Sequence, residues 1–388
     1  FLDGQDNDGN GYIDDLIGWD PASQYTGDFD EDNDPFPKEG ASSGGGWAHG
    51  THVAGLLAAT SDNGIGMASA VFNGKIISVK CSPDFLNTDD PGIYNDNEAL
   101  TYAAKAGYYS SCPNCDPYNG DESDSFAIIN CSYGGFGSSV AEQNLINMLH
   151  EDYGAIIVAA AGNGSDTGSS DAYELHYPAS YDNVISVAAI GCNGDWGGWA
   201  SYHPTVDLSA PGEGIYSTEL NGTYGTKMGS SMASPNAASS IGLLASYYPD
   251  LNNDQLISRI LNTADRFIYE LNPEFETCND NPGFDCLGKG MVDPYKAIGI
   301  EIAPDIAIES TAIIEDIDNS DNDGVANPGE NITLYVTLKN QEGWQNATNI
   351  NAILSTNYEG VTITSNIANC PSLDAGQLCD IQYEFSLS

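Results

Sequence analysis

Basic side chains are scarce in this chain. Ten Lys and Arg stand against 56 Asp and Glu in 388 residues, a formal net charge of −46, and none of the ten lies between Lys105 and Lys227. Such a field repels phosphate, so nucleic acid and anionic membrane surfaces are excluded as partners. Uninterrupted runs of 18 apolar residues are also missing, and no membrane-spanning helix is expected. An initiator Met and a signal-type apolar segment are absent as well, so a signal and a propeptide are expected upstream of Phe1.

What is present argues for a packed protein and against disorder. Hydrophobic residues make up 41% of the chain, there are 22 Tyr, and runs such as Ala155-Ile-Ile-Val-Ala-Ala-Ala161 are long enough for buried strands. The acidity therefore reads as solubility plus cation binding, in a secreted and expectedly monomeric protein. The length suits one large domain and a smaller one.

Nine cysteines are many for a reducing compartment. Cys278 with Cys286, and Cys370 with Cys379, have the spacing of short disulfides. Cys112-Pro-Asn-Cys115 fits a local disulfide, free thiols or half of a zinc site. Cys81, Cys131 and Cys192 lie in apolar contexts and read as buried thiols, with a Cys81–Cys131 bridge as an alternative.

Residues 1 to 48 are rich in Asp, Asn and Gly with little apolar periodicity, so ligands and not a core are expected to hold them. From His49 onward strands and helices alternate. Helices are expected from 49, over 97–107, 140–151, 231–248 and 253–262; strands over 75–80, 126–131, 155–161, 184–190 and 205–208; and a hairpin over 215–227. Strands separated by amphipathic helices imply an α/β domain, a doubly wound and mostly parallel sheet with helices on both faces, over 1–300. Beyond Ile302-Ala-Pro304 the pattern turns to β segments at 306–314, 332–338, 349–354, 361–364 and 381–387, which suggests a small all-β sandwich over 305–388.

Three short stretches carry the chemistry. Gly229-Ser-Ser-Met-Ala-Ser-Pro235 places Ser231 at a helix start, where free N–H groups and small neighbours leave room for a carbonyl. His49-Gly-Thr-His52 sets an imidazole ahead of small helical residues, able to titrate near neutral pH. Asn163, between Gly162 and Gly164, ends an apolar strand with its amide free to point out of the sheet. Taken singly, Ser231 reads as an N-cap, His49 as a cap or solvated side chain, and Asn163 as a strand-end turn residue.

Together these stretches resemble the subtilisin-like serine proteases, the subtilase family. The family's His-Gly-Thr-His-Val-Ala-Gly stands unchanged at 49 to 55, and its Gly-Thr-Ser-Met-Ala-x-Pro-His appears at 229 to 236 with Ser230 for Thr and Asn236 for His. Asn130-Cys-Ser-Tyr-Gly-Gly135, Ala159-Ala-Ala-Gly-Asn163, Tyr177-Pro-Ala179 and Ser209-Ala-Pro-Gly212 follow in family order. The resemblance spans roughly residues 1 to 299. It implies a peptide-bond hydrolase acting on protein or peptide substrates, with Ser231 as nucleophile, His49 as general acid/base and Asn163 as oxyanion donor. It further implies that Ser132, Tyr133 and Gly134 pair with extended substrate and, with Ala160 and Gly162, wall the first specificity pocket.

One part of the family pattern is missing. The acidic triad member ends a buried strand before the Asp-rich loop that here begins the chain, and Asp3, Asp15 and Asp20 all lie after that point. None of them is assigned. Without a carboxylate behind His49, turnover should fall by orders of magnitude. The expectation is that the acid lies upstream of residue 1; the rival reading is an inactive protease fold serving calcium-dependent binding or adhesion.

Two acidic stretches suggest structural calcium. Asn319, Asp321, Asp323, Asn327 and Glu330 follow the alternate-oxygen spacing of a twelve-residue calcium loop, with Gly324 at the sharp turn and a strand where a helix would be expected. A solvated acidic linker is the alternative. Asp6, Asp8, Asn10 and Asp14 have the same alternation without a closing Glu, and resemble the loop many subtilases carry between the triad Asp and His. Asp28, Asp30, Asp32 and Asp34 alternate too. The Asn-Pro-Gly-Glu330 segment followed by Asn331-Ile-Thr-Leu resembles Ig-like modules appended to secreted bacterial proteases.

Overall fold

A computed structural model describes residues 3–22, 31–42, 45–84, 91–111, 115, 125–164, 173, 175–196, 198–278, 285–299, 306–316, 321, 323–340, 346–374 and 376–388. Cys112, Asp28, Asp30 and Asn319 therefore lie outside the described residues. The chain divides into two compact units, 1–298 and 299–388.

In the first unit the elements are β1 (Gly18–Trp19), α1 (His49–Ala58), β2 (Ser78–Val79), α2 (Asp96–Tyr109), β3 (Ile128–Cys131), α3 (Val140–Tyr153), β4 (Ile156–Ala160), β5 (Val184–Ile190), β6 (Leu208–Pro211), β7 (Ile215–Glu219), β8 (Thr223–Lys227), α4 (Ser230–Tyr247), α5 (Asn253–Asn262), α6 (Ile268–Leu271) and α7 (Pro294–Ala297). Strands β3, β4, β5 and β6 form a parallel sheet in that order. Every residue of β4 and β5 is buried, the mark of strands covered on both faces.

The pleat divides their side chains between two cores. Ile156, Val158, Ile185 and Val187 face Ala233, Ala237, Ile241 and Leu244 of α4 and Leu256 and Ile260 of α5. Ile157, Ala159 and Val184 face Leu100 and Ala104 of α2 and Ile146 and Leu149 of α3. Helix α4 is built of Ala, Ser and Gly around a few large residues, so it packs on β3, β4, β5 and β6 while nearly enclosed. This sheet fixes the catalytic face, because β4 and α4 both deliver their ends there. Among the described residues no helix is long and apolar enough to cross a membrane.

Several expectations are corrected. The stretch 75–80, expected as a buried strand, contributes only Ser78–Val79, paired in parallel with β1, and Ile76 and Ile77 are 43% and 46% exposed. Among the described residues β1 is its one assigned neighbour, which leaves this strand at a sheet edge. The strand expected at 205–208 starts at Leu208, since Pro204 and the turn closed by the Val206 N–H on the His203 carbonyl occupy Thr205 and Val206, and Asp207 is the first residue to bond to β5. The acidic N-terminal stretch does have a core: Tyr12 and Trp19 pack edge-on and stacked against Tyr102 of α2, with Ala106 beneath. A buried ion pair of 2.6 Å between Lys80 and Asp20 ties the same stretch to the end of β2.

Cys278–Cys286 and Cys370–Cys379 are disulfides. Cys81 and Cys131 are free, so the alternative bridge between them is not formed. Burial pushes both thiols up, Cys131 to about 12, which leaves no thiolate for exchange. Cys192, expected buried, is exposed, because β5 ends at Ile190 and the chain turns there.

The second unit comprises β9 (Ile306–Glu315), β10 (Asn331–Asn340), β11 (Ala347–Ile353), β12 (Val361–Ser365), β13 (Ile367–Leu373) and β14 (Leu378–Leu387). A four-stranded sheet in the order β12-β14-β10-β9 faces a two-stranded sheet of β11 and β13. Val336, Leu338, Ile381 and Tyr383 from one meet Ala347, Ala368, Cys370 and Leu373 from the other, a sandwich core. Strand β13 is an addition to the expected β segments; among the described residues it pairs with β11 alone, and an edge strand tolerates the missing N–H of Pro371.

Candidate active site

Ser231 owes its setting to two sequence features. Gly229 has φ +149°, a conformation that L side chains rarely adopt, and it turns the chain sharply into α4. Pro235, four residues after Ser231, has no N–H, so the Ser231 carbonyl loses its helical donor. The Ser132 hydroxyl replaces that donor at 2.7 Å. It is itself held by Asn130 Nδ2 at 2.9 Å, and Asn130 Oδ1 accepts from the Ser234 hydroxyl at 2.7 Å. The Ser231 hydroxyl in turn donates to the Ser132 carbonyl at 3.2 Å. Residues 130–132, directly at the end of β3, are thus bound to the first turn of α4.

Asn163 follows β4 and is oriented by Ser230. Its Oδ1 accepts from the Ser230 N–H at 2.8 Å and from the Ser230 hydroxyl at 3.0 Å. A backbone N–H can only donate, which settles the amide orientation. Gly162 N–H donates to the Ser230 hydroxyl at 3.1 Å, completing the link between β4 and α4. A Cβ placed on Gly229 would lie 3.4 Å from Asn163 Nδ2 and 3.6 Å from the Ser231 nitrogen. Asn163 Oδ1 lies 3.5 Å from the same point, turned to Ser230, so the remaining groups bordering this space beside Gly229 are two N–H donors of the kind that stabilise an oxyanion.

His49 opens α1 and is half-buried. Helix α1 packs on α4 through Val53, Leu56 and Met232, the residue next to Ser231. Strand β7 fastens its other side, with the Ser217 and Thr218 hydroxyls donating to the carbonyls of His52 and Thr51, each at 2.7 Å. His52 is fully buried, its Nε2 3.2 Å from the Ile215 carbonyl, and burial lowers its pKa. Of the two histidines in the motif, His52 is a packing residue.

The substrate-facing expectations fall around this point. Ser132, Tyr133 and Gly134 run directly from β3, and Gly134 is exposed. Tyr133 turns its ring into the core beside α2 and α3, so only its main chain is available outward, and burial pushes its phenol well up. Ala160 is buried at the end of β4. Gly162, at φ +111°, allows no side chain, since a Cβ would lie 2.5 Å from His176 Cδ2 and 2.7 Å from Ser201 Oγ.

The unassigned acids are engaged elsewhere. Asp20 pairs with Lys80, Asp15 accepts from Asn10 Nδ2 at 2.9 Å, and Asp3 accepts from Gln5 and Asn7. In the N-terminal acidic loop Asp6 accepts from the N–H groups of Gly9 and Gly11, and Asp8 from the N–H and side chain of Asn10. Burial, with the charge of Asp15, raises the pKa of Asp8. Asp14 turns away and caps the N–H groups of Asp3 and Gly4.

A family model described as the subtilase family matches residues 16–290. The chain belongs to the subtilase family. Among curated relatives, subtilisin DY of Bacillus licheniformis is 33% identical over 226 residues, 57% of this chain and 73% of that protein. Thermitase of Thermoactinomyces vulgaris is 32% identical over 248 residues, 64% and 76% of the two chains. A solved structure described as proteases from Pseudoalteromonas arctica PAMC 21717 covers 73% of this chain and 83% of its own, at TM-score 0.53 and 28% identity. In this subtilase the roles of Ser230 and of the Ser132 hydroxyl were not anticipated. Their signals are in the sequence: Thr and Ser at position 230 share only the hydroxyl that binds Asn163, and Pro235 announces an orphaned carbonyl at Ser231.

Proposed function

We propose that this subtilase is a secreted serine endopeptidase hydrolysing peptide bonds through an acyl-enzyme on Ser231. The observation that carries the reading is the fixed amide of Asn163, whose Nδ2 borders the same space as the Ser231 N–H. In the reaction, His49 takes the hydroxyl proton as Ser231 attacks the carbonyl and returns it to the leaving amine. The two N–H donors receive the developing oxyanion. Main-chain pairing along Ser132–Gly134 would hold an extended peptide with little demand on its sequence, and Ala160 and Gly162 would border the pocket for the residue before the cut. Two disulfides support an oxidising, extracellular setting. The domain reading is a peptidase domain over 1–300 and an Ig-like domain over 305–388 for attachment or substrate binding.

The test is peptide release from an unfolded protein substrate, with any residues that precede Phe1 in the natural protein included so that an upstream acid can reach His49. Release that stops with Ser231→Ala supports the reading. No release from a folded chain leaves the binding-protein alternative standing and overturns this one.

The same reading places a structural calcium ion at the N-terminal loop, where Asn10 Nδ2 donates to both Asp8 and Asp15 and an ion would take the place of that donor between the two carboxylates. Asp14 is outside that group. A ligand at a hundredfold excess over its Kd stabilises by about 2.7 kcal/mol, so chelation is expected to lower the melting temperature of the peptidase domain by several degrees. An unchanged transition in chelator would remove calcium from this loop.

A further inference from the structure

In the second unit, β9 ends at Glu315 and β10 begins directly after Glu330, with Ile332 paired opposite Glu315. The connection between them folds back and sets two carboxylates side by side at one end of the sheet. Both are buried, Glu315 at 4% and Glu330 at 6% exposure. Glu330 uses both oxygens, accepting from the Asp321 N–H at 3.3 Å and the Asn327 N–H at 2.6 Å. Glu315 accepts from the Gly324 N–H at 2.6 Å with Oε1 only. Its Oε2 is buried and has no hydrogen-bond partner among the described residues. One oxygen each from Glu315, Asp321 and Glu330 lies within 4.8 Å of the others.

Nothing basic in this part of the chain balances that charge. Residues 301–388 contain one Lys, Lys339, and neither Arg nor His. Lys339 lies near the far end of β10, about 30 Å along an extended strand from Glu330, and its ammonium is 4.0 Å from Glu309. Buried carboxylates without a paired cation are costly, and in proteins such groups are neutralised, paired or bound to metal.

We propose that Glu315, Asp321 and Glu330 form a divalent-cation site that holds Asp321 to the adjoining ends of β9 and β10. The donors are hard oxygens only, which selects calcium over softer transition metals. The site differs from the expected loop in its anchor. Glu315 comes from the preceding strand, outside the twelve-residue spacing, while Asp323 and Asn327 are engaged locally with Val325. Asn319 lies outside the described residues. The proposal is independent of the peptidase reading, because its readout is ion binding.

The experiment uses the full chain stripped by chelator, dialysed and titrated with calcium by calorimetry, with bound ions counted by native mass spectrometry. Glu315→Gln is expected to lose one bound ion at a calcium concentration that saturates the unsubstituted chain. Asp321 is exposed and its Oδ1 only accepts the Asp323 N–H, which an amide oxygen also accepts. Asp321→Asn therefore keeps the fold and is expected to weaken that ion about tenfold or more. Asp8→Asn, in the other acidic loop, should leave this ion in place. Unchanged ion count and affinity in both Glu315→Gln and Asp321→Asn would overturn the site.

Discussion

Replacing Ser231 by Ala is expected to lower kcat by about a millionfold, a magnitude that belongs to subtilisin, another member of this family, and not to this structure. Ser231 lies in the first turn of α4, next to the Ser230 that binds the Asn163 amide, and the neighbouring hydroxyls hold the scaffold. Ser230 holds Asn163, Ser132 holds the Ser231 carbonyl, and Ser234 holds Asn130. Those three bonds join separate elements, whereas the Ser231 hydroxyl donates to the Ser132 carbonyl over a longer 3.2 Å. The loss should appear in kcat with KM little changed, since a methyl group in place of the hydroxyl leaves the substrate-pairing main chain intact. Retention of more than about a thousandth of the activity would mean that another residue attacks.

Asn163→Ala should cost roughly 100-fold to 1000-fold in kcat, again the size recorded in subtilisin for losing such a donor. Its amide contributes only when charge develops on the carbonyl oxygen, so KM should stay near its unsubstituted value. The orientation of that amide depends on Ser230, which predicts a graded companion. Ser230→Ala removes one of the two hydrogen bonds to Oδ1 and should lower kcat roughly threefold to tenfold, as expected for about 0.5–1.5 kcal/mol of a net hydrogen bond. Ser230→Thr keeps the hydroxyl and should restore most of it. Equal losses in Ser230→Ala and Ser230→Thr would mean that side-chain size, not the bond to Asn163, is what position 230 supplies.

The sheet and its helices were legible because β4 and β5 are continuous apolar runs and α3 and α5 carry caps and periodicity that tertiary packing reinforces. The family's motifs were legible because their spacing within each stretch is short and local. What was not legible depends on contacts across the fold. The aromatic anchor of the N-terminal stretch joins Tyr12 and Trp19 to Tyr102, too far along the chain for any periodicity to reveal. Strand β13 carries a Pro, which only edge placement makes acceptable. Glu315 was passed over because a calcium-loop pattern looks within twelve residues, while the antiparallel pairing of β9 and β10 brings in a residue from the strand before it. Asp14 shows the opposite failure: it keeps the alternation yet turns to cap Asp3 and Gly4, since a side chain in a Gly-rich turn answers to the nearest free N–H.

The central claim is that Ser231 is an activated nucleophile beside a preformed oxyanion site. The most direct measurement is covalent labelling by a serine-directed phosphonate, read as intact mass and mapped by peptide sequencing, on the chain with any natural residues upstream of Phe1 included. One adduct per chain, on the peptide containing Ser231 and absent in His49→Ala, is the result this account predicts. A folded chain that takes up no label at Ser231, or takes it up equally well without His49, would contradict it.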